Sequence, residues 1–321
     1  MTLYRAVLMP RGPFISRLQG DTFFGAFCWS YLRRHGQAAL EEFLRQCREE
    51  GARITFSNAF PAGCLPLPLG VYDPANDFDR LADKHERRDA YRRGKKLKNA
   101  KYVLAEAFYR IQAGDWNGFT DQLQGENTVS DSEMHNLVLR DRGLVDRVDG
   151  AGNLFSTEAR FPDPRLPAEK QAFDLYVLTD LPEREVADTL SLAAALGIGA
   201  DKSTGHGFFS LTGLKRADAR LSSCPGADGF VTLSDFIPAA DDPVRGYYRT
   251  LIKYSALDRE MGGAAPFKRP MLYLCCGGVF YDNPPMRRYG RCVTGVAAVA
   301  APVTVNACCI AAPMRMAPFS G

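Results

Sequence analysis

An α+β fold class follows from three features of the sequence: two β-α-β stretches far apart in the chain, a glycine-rich turn closing the second helix, and a C-terminal third that reads almost wholly as strands. The first stretch predicts a strand over residues 3–9, a loop over 10–20, a helix over 21–35 and a strand over 53–60. Asp21 or Thr22 is placed to cap the helix, and Phe23, Phe24, Phe27 and Tyr31 form its apolar stripe. The second stretch predicts a strand from Phe173, a helix over 182–196 and a strand from Gly207. In that helix Val186, Leu190, Ala193 and Leu196 recur at helical spacing, with Pro182 at the start and Gly197 just past the end. Joined, the two stretches make the β-α-β-β-α-β order of one ferredoxin-like (RRM-like) module over 1–216, split by an insertion at about 70–150.

The insertion carries the charge that the whole chain lacks. Its nine cations between positions 84 and 101 face only Glu86 and Asp89, whereas the net charge of the protein is +3. Any polyanion is therefore held by a local cluster rather than by the overall field. Read as a helix, Lys84, Arg87, Arg88, Tyr91, Lys95 and Lys98 fall along one face, and Leu97, Ala100, Leu104, Ala107, Phe108 and Ile111 form a separate apolar stripe. Such a helix docks by one side and offers charge on another, to RNA or to an acidic protein surface; a solvated face is the plainer alternative.

After a Ser-, Gly- and Ala-rich linker over 217–228, strand-like segments recur at 230–233, 246–254, 271–276, 291–297 and 303–310 with little helical periodicity. They predict a second, degenerate ferredoxin-like and mostly β module over 229–321. Gly262 and Gly263 mark a flexible loop within it.

The turn itself, GIGADKSTGHGFF over 197–209, sets Gly197, Gly199, Gly205 and Gly207 around Asp201, Lys202, Ser203 and Thr204. Without a Cβ, glycine admits positive φ and lets a phosphate or another backbone come close, and such a turn aims several N–H groups at one anion. It is not a nucleotide loop: the dinucleotide pattern needs glycine at Lys202, and the P-loop needs it at Leu196 and Asp201. Both of those loops also open a helix, whereas this one closes a helix. Close strand-on-helix packing is the alternative use of these glycines.

With 321 residues and 46% hydrophobic content the chain is long enough for one large or two ordinary domains with a sizeable core. Its nine cysteines include no C-x-x-C pair, and no secretory signal or membrane-length apolar run is seen, so reduced thiols in a soluble cytoplasmic protein are expected. No H-E-x-x-H and no carboxylate cluster of recognisable spacing occurs, and neither metal nor cofactor is expected.

Several motifs in one order resemble a known family. Asp21-Thr22-Phe23-Phe24-Gly25 is followed by Ser57-Asn58-Ala59-Phe60-Pro61, the basic run, His135-Asn136 with Arg140, the glycine turn, an L-S-x-F-x-P element from Leu233 to Pro238, and Lys268-Arg269-Pro270. Taken together they are similar to the RAMP superfamily of CRISPR proteins, most closely the family of fourth Csm subunits of type III-A effector complexes. The C-terminal run through Cys308-Cys309 and Ala311-Ala312-Pro313 departs from that pattern. The resemblance implies a non-catalytic subunit of antiviral defence that holds the 5′ handle of the guide RNA, docks the large polymerase-like signature subunit and sits beside the backbone RAMP subunits. The RNA track it implies runs over Gly197, Gly199, Lys202, Ser203, Thr204, Gly205, His206 and Gly207, with His135, Asn136 and Arg140, Lys95 and Lys98, and Arg17 of the loop over 10–20.

A metal-independent guide-processing endoribonuclease of the same superfamily is the main alternative, with a histidine as general acid or base. Of the four histidines, His35 ends a helix and His85 lies in the basic run, which leaves His135 and His206 as candidates. A purely structural cap without RNA contact is the third reading.

Overall fold

The computed structural model describes residues 1–49, 51–69, 83–88, 91, 100–115, 128–129, 135–145, 152–258, 267–297 and 303–316. The first sheet takes its strands from both ends of the N-terminal two-thirds. Strand β1 (Thr2–Pro10) lies between β10 (Phe209–Arg216) and β9 (Phe173–Thr179), and β9 pairs in turn with β2 (Ile54–Phe56) and β3 (Phe60–Pro61), every pairing antiparallel. Helix α1 (Gly20–His35) connects β1 to β2 by way of α2 (Gln37–Glu49), and α4 (Glu183–Leu196) connects β9 to β10. Both faces of this sheet are covered, which is why all seven residues of β9 are buried. Tyr4, Ala6, Leu8, Leu175 and Val177 pack under α1 and α4 against Phe23, Phe27, Val186 and Leu190. Leu3, Tyr176 and Leu178 point the other way, as the period of two requires.

That second face does not meet water. It packs on α3 (Ala105–Gln112) and on a second sheet ordered β12 (Gly246–Tyr247), β15 (Val279–Tyr281), β11 (Gly229–Thr232), β17 (Val305–Met314) and β16 (Arg288–Val293). Strand β17 is wholly buried and divides its side chains between clusters: Ile310, Ala312 and Met314 join the shared core, while Cys309 and Ala311 join Phe230, Phe280 and Tyr289. The Ala- and Cys-rich run that departs from the family pattern is thus a core strand, its small side chains fitting between two layers. Asn306 of this strand donates to the Ile54 carbonyl at 2.6 Å and fastens the two sheets together.

Two expectations are corrected, one helix was not predicted, and the second sheet has an order of its own. The run from Lys84 is helical over 84–88, but residues 102–104 form strand β5 (Tyr102–Leu104) rather than continuing a helix to Ile111. Tyr102, Val103 and Leu104 suit a strand, and β5 pairs with β4 (Cys64–Pro66) and β6 (Thr128–Val129), so α3 starts only at Ala105. Helix α1 starts at Gly20 without a side-chain cap from Asp21 or Thr22. Helix α2, which the sequence pattern did not predict, is an amphipathic surface helix that buries Phe43 and Cys47. The second sheet lacks the interleaved order of the first: β11 pairs with β15 and with the last strand β17, and no helix occurs among the described residues from 229 onward. Loops and a separate two-stranded pair, β13 (Thr250–Lys253) with β14 (Met271–Leu274), replace the helical crossovers that a ferredoxin-like order needs. The glycine pair Gly262-Gly263 lies outside the described residues.

Candidate nucleic-acid interface

The glycine turn is built by two different uses of glycine. Gly197, at φ +97°, ends α4 and donates to the Ala193 carbonyl at 3.1 Å. Gly199 and Gly207 are contact positions: a Cβ on Gly199 would lie 2.4 Å from Ser16 Oγ, and one on Gly207 2.3 Å from the Ile198 carbonyl oxygen. Gly205, at φ +86°, faces open space with nothing within 4 Å. The turn is stitched to the loop over 10–20, because Ser16 Oγ accepts from Ala200 N–H at 2.7 Å and Gly207 N–H donates to the Pro13 carbonyl at 2.8 Å. Packing therefore explains the base of the turn, and its tip is left to solvent.

At that tip Ser203, Thr204 and Gly205 are exposed. Asp201 sits in the left-handed region at φ +59°, followed by one 3-10 turn, Lys202–Thr204. The N–H groups of Lys202 and Ser203 have no backbone partner among the described residues, and successive free N–H groups after a left-handed residue form a concavity suited to an anion. Two predicted members behave differently. Lys202 is ion-paired, its Nζ 2.6 Å from Asp258 Oδ2, so its charge is not free. His206 is buried at 3% exposure with Nδ1 3.0 Å from Thr204 Oγ1. Its Nε2 is buried without a hydrogen-bond partner among the described residues.

The H-N-x-x-x-R element lies on a long hairpin of β7 (His135–Val145) and β8 (Gly152–Pro162), in which His135 is opposite Pro162 and Arg140 opposite Thr157. Its base is brought beside the glycine turn by Phe14, whose backbone exchanges two hydrogen bonds with Arg160 of β8 at 2.8 and 3.0 Å. Arg140 is exposed, with its guanidinium 4.7 Å from the centre of the Phe161 ring. Asn136 Oδ1 accepts from Arg165 at 3.5 Å. Arg165 clamps Asp163, and hydrogen bonds from the Arg165 side chain and backbone hold the Asp163 carboxyl down at about 2. Lys95 and Lys98 lie outside the described residues.

Arg17, next to the Ser16 that anchors the turn, is exposed. Burial and the Asp235 carboxylate push the Cys275 thiol up to about 11, against the opposing charges of Arg249 and Arg17. Across the same junction Lys253 Nζ holds Asp21 at 2.5 and 2.7 Å, and Lys268 lies close enough to feel both. Burial lowers the Lys268 pKa, opposed by Asp21 and reinforced by Lys253.

Sequence reading missed how the remaining motifs serve this junction. Gly20 N–H, the first of α1, donates to Asn58 Oδ1 at 3.1 Å, Asn58 N–H donates to the Leu233 carbonyl at 2.8 Å, and Asp235 accepts from Gln19 Nε2 and from Cys276 N–H. Three of the co-linear motifs thus meet at the start of α1, although they lie more than 200 residues apart in places. Their fixed order was the one signal in the sequence that could have revealed the meeting.

No family model matches this chain. Among curated proteins, the CRISPR system Cms protein Csm4 of Thermococcus onnurineus (strain NA1) is 30% identical over 289 residues, covering 87% of this chain and 86% of its own. The chain belongs to the Csm4 family. The expectation of a type III-A Csm effector subunit therefore stands. Solved structures containing Csm4 share the fold. A Csm1-Csm4 cassette in complex with cA4 is similar with a TM-score of 0.59 at 21% identity over 98% of this chain and 99% of that one. In the Csm3-Csm4 subcomplex of the type III-A CRISPR-Cas interference complex the TM-score is 0.60 at 13% identity over 95% and 99%. Among the described residues of this Csm4-family chain, no helix is long and apolar enough to cross a membrane.

Proposed function

We propose that this Csm4-family subunit holds the 5′ handle of the guide RNA without cleaving it, and joins the large polymerase-like subunit to the backbone RAMP subunits of a cytoplasmic effector complex. In this reading the ferredoxin-like unit over 1–216 supplies the RNA track, and the mostly β unit over 229–321 is its degenerate, strand-built counterpart. The observation that carries the reading is the exposed tip at Ser203, Thr204 and Gly205, with free N–H groups at Lys202 and Ser203, flanked by Arg17 and by the hairpin bearing Arg140. Backbone and hydroxyl donors position a phosphate there, and the arginines neutralise its neighbours. The partner subunits follow from the family, in which Csm1-Csm4 and Csm3-Csm4 assemblies are known structures. Burial of His206 favours this binding role over the processing nuclease.

The test is RNA crosslinking of the reconstituted complex with the linked peptides mapped, together with incubation of the purified subunit with repeat RNA. Crosslinks at residues 203–205, 135–140 and 17 without cleavage are expected. Cleavage lost on His135→Ala or His206→Ala, or crosslinks confined to other surfaces, would overturn it.

A further inference from the structure

The seam between the two sheets carries thiols that the RNA track does not use. Cys292 lies on β16, the edge strand of the second sheet, and Cys308 on its neighbour β17, and both are free thiols. The antiparallel register sets Cys308 opposite Gly290 and Cys292 opposite Asn306, so the two cysteines are diagonal neighbours. They share a face. The period of two puts Cys308 with Asn306 and Ile310 on the side turned toward the first sheet, where Cys292 packs against the core under α1 together with Cys28. Gly290 presents no side chain to Cys308 across the ladder, which leaves Arg288 and Cys292 as its side-chain neighbours on β16. The Cys308 thiol turns to Cys292 and hydrogen-bonds to it.

The two sulfurs differ in chemistry. Cys308 is buried, and its hydrogen bond to Cys292, reinforced by burial, pushes its pKa well up. Cys292 is only partly buried. The bond from Cys308, with the charges of Arg288 and Arg48, holds its pKa below the ordinary thiol value against the effect of burial. Both guanidinium groups are tied in place, Arg288 by the Ala52 carbonyl and Arg48 by Thr304 Oγ1 at 3.1 Å. Cys28 and Cys47, also packed in this core, sit on helices and are pushed up by burial, Cys47 to about 11. A more acidic, partly accessible thiol beside a buried second thiol is the arrangement of an attacking and a resolving cysteine.

We propose that Cys292 and Cys308 form a peroxide-sensitive pair that closes into a disulfide and staples β16 to β17. The Cys292 thiolate attacks one oxygen of hydrogen peroxide; the O–O bond breaks, leaving Cys292 as sulfenic acid and a hydroxide that takes up the proton Cys292 had released. The Cys308 sulfur then attacks the Cys292 sulfur; the S–O bond breaks, the S–S bond forms, and the hydroxyl leaves as water with the Cys308 proton. Two thiols are oxidised and the peroxide is reduced to two waters. The bond needs the strands drawn slightly closer than diagonal neighbours usually sit, and β16, paired on one side only, moves without breaking a second ladder. It closes where β17 holds the Ile54 carbonyl through Asn306 and β16 holds the Ala52 carbonyl through Arg288, so it fixes the strand pair that docks the second sheet on the first.

The experiment treats the reduced full-length chain with hydrogen peroxide, blocks the remaining thiols by alkylation and maps the cysteine peptides by mass spectrometry. The expected product joins Cys292 to Cys308, forms before any oxidation at Cys28 or Cys275, and is lost on dithiothreitol. Cys292→Ser abolishes the link. Cys308→Ser leaves Cys292 as a sulfenic acid that dimedone traps, whereas Cys28→Ala with Cys47→Ala leaves the link unchanged. The wild-type map decides the matter even where a variant fails to fold. A link from Cys292 to Cys28 or Cys47, a Cys292–Cys308 link that forms only in urea, or oxidation of Cys28 or Cys275 ahead of Cys292 overturns the pair.

Discussion

The ammonium of Lys253 sits on both carboxylate oxygens of Asp21, at 2.5 and 2.7 Å, across 232 residues of sequence. The side chains are 16% and 10% exposed, so the pair lies largely out of water at the start of α1. Removing one partner strands the other charge in a poorly solvated site, which costs more than the pair contributes. Asp21→Asn is expected to destabilise the chain by about 2–4 kcal/mol. Asp21→Asn with Lys253→Met should cost less than the sum of the single changes. Urea unfolding of the three variants measures this, and strict additivity would mean that the pair is not coupled.

The glycine turn predicts outcomes of very different size at Gly205 and Gly207, two residues apart. Alanine at Gly207 places a methyl group 2.3 Å from the Ile198 carbonyl oxygen, and alanine at Gly205 meets nothing within 4 Å. Both incur the left-handed backbone penalty of roughly 1–2 kcal/mol, but only Gly207→Ala adds a collision with main chain. Gly205→Ala should fold and unfold at a slightly lower temperature, whereas Gly207→Ala should lose several kcal/mol or fail to fold. Equal thermal midpoints for the two would contradict this division of the turn into a packed base and an open tip.

How much of this was legible beforehand divides along the range of the interactions. Local signals sufficed for α1, α4, β1 and β9, because the spacing of Phe23 and Phe27, or of Val186 and Leu190, records which face is buried. They also placed the turn, since Gly197 closes α4 as a C-terminal glycine should. What could not be read depends on partners distant in sequence. Lys202 looks like a phosphate ligand until Asp258 is seen beside it. Asp21 looks like a cap because its type suits one, yet its carboxylate is held by Lys253 and the first turn is satisfied by Asn58. The strand at Tyr102 reads as helix because its pairing with β4 crosses the insertion.

Asn58 carries the next prediction. Its side-chain oxygen satisfies the first N–H of α1 in place of a local cap, and Gly20 itself has no room for a Cβ, which would lie 2.4 Å from the Phe56 carbonyl oxygen. Asn58→Ala should cost about 1 kcal/mol, the usual value of an N-terminal cap. Amide hydrogen exchange is expected to rise at Gly20 and Asp21 first; unchanged protection there would show that water replaces Asn58 without loss.

Acid should loosen the contact between α1 and α4. Glu185 accepts from Thr189 Oγ1 at 2.7 Å, lies 2.9 Å from His35 Nε2 and 3.3 Å from Arg34. Burial raises its pKa, but the hydrogen bonds from Thr189 and His35 and the charge of Arg34 outweigh that and hold the carboxyl below its ordinary value. A depressed carboxylate stabilises the fold fully above its unfolded pKa of about 4.3, and this contribution is lost as pH falls through the lower folded value. The thermal midpoint should therefore drop below about pH 4, and Glu185→Gln should flatten that limb while leaving the chain less stable at pH 7. A steeper acid limb in the variant would reverse the sign.

The Lys202–Asp258 pair separates two roles for the most basic residue of the turn. Where Lys202 is a tether, neutralising either member frees the segment at Asp258 from the glycine turn, and both changes weaken RNA binding alike. Where Lys202 is a phosphate ligand, Lys202→Ala weakens binding while Asp258→Asn releases the ammonium and strengthens it. The distance of 2.6 Å and the partial burial of both side chains favour the tether. Each single change should then lower handle affinity by roughly two- to fivefold, in keeping with the ~0.5–1 kcal/mol of a partly exposed pair, and the double variant should be no worse than either. Tighter binding by Asp258→Asn would return Lys202 to the phosphate track.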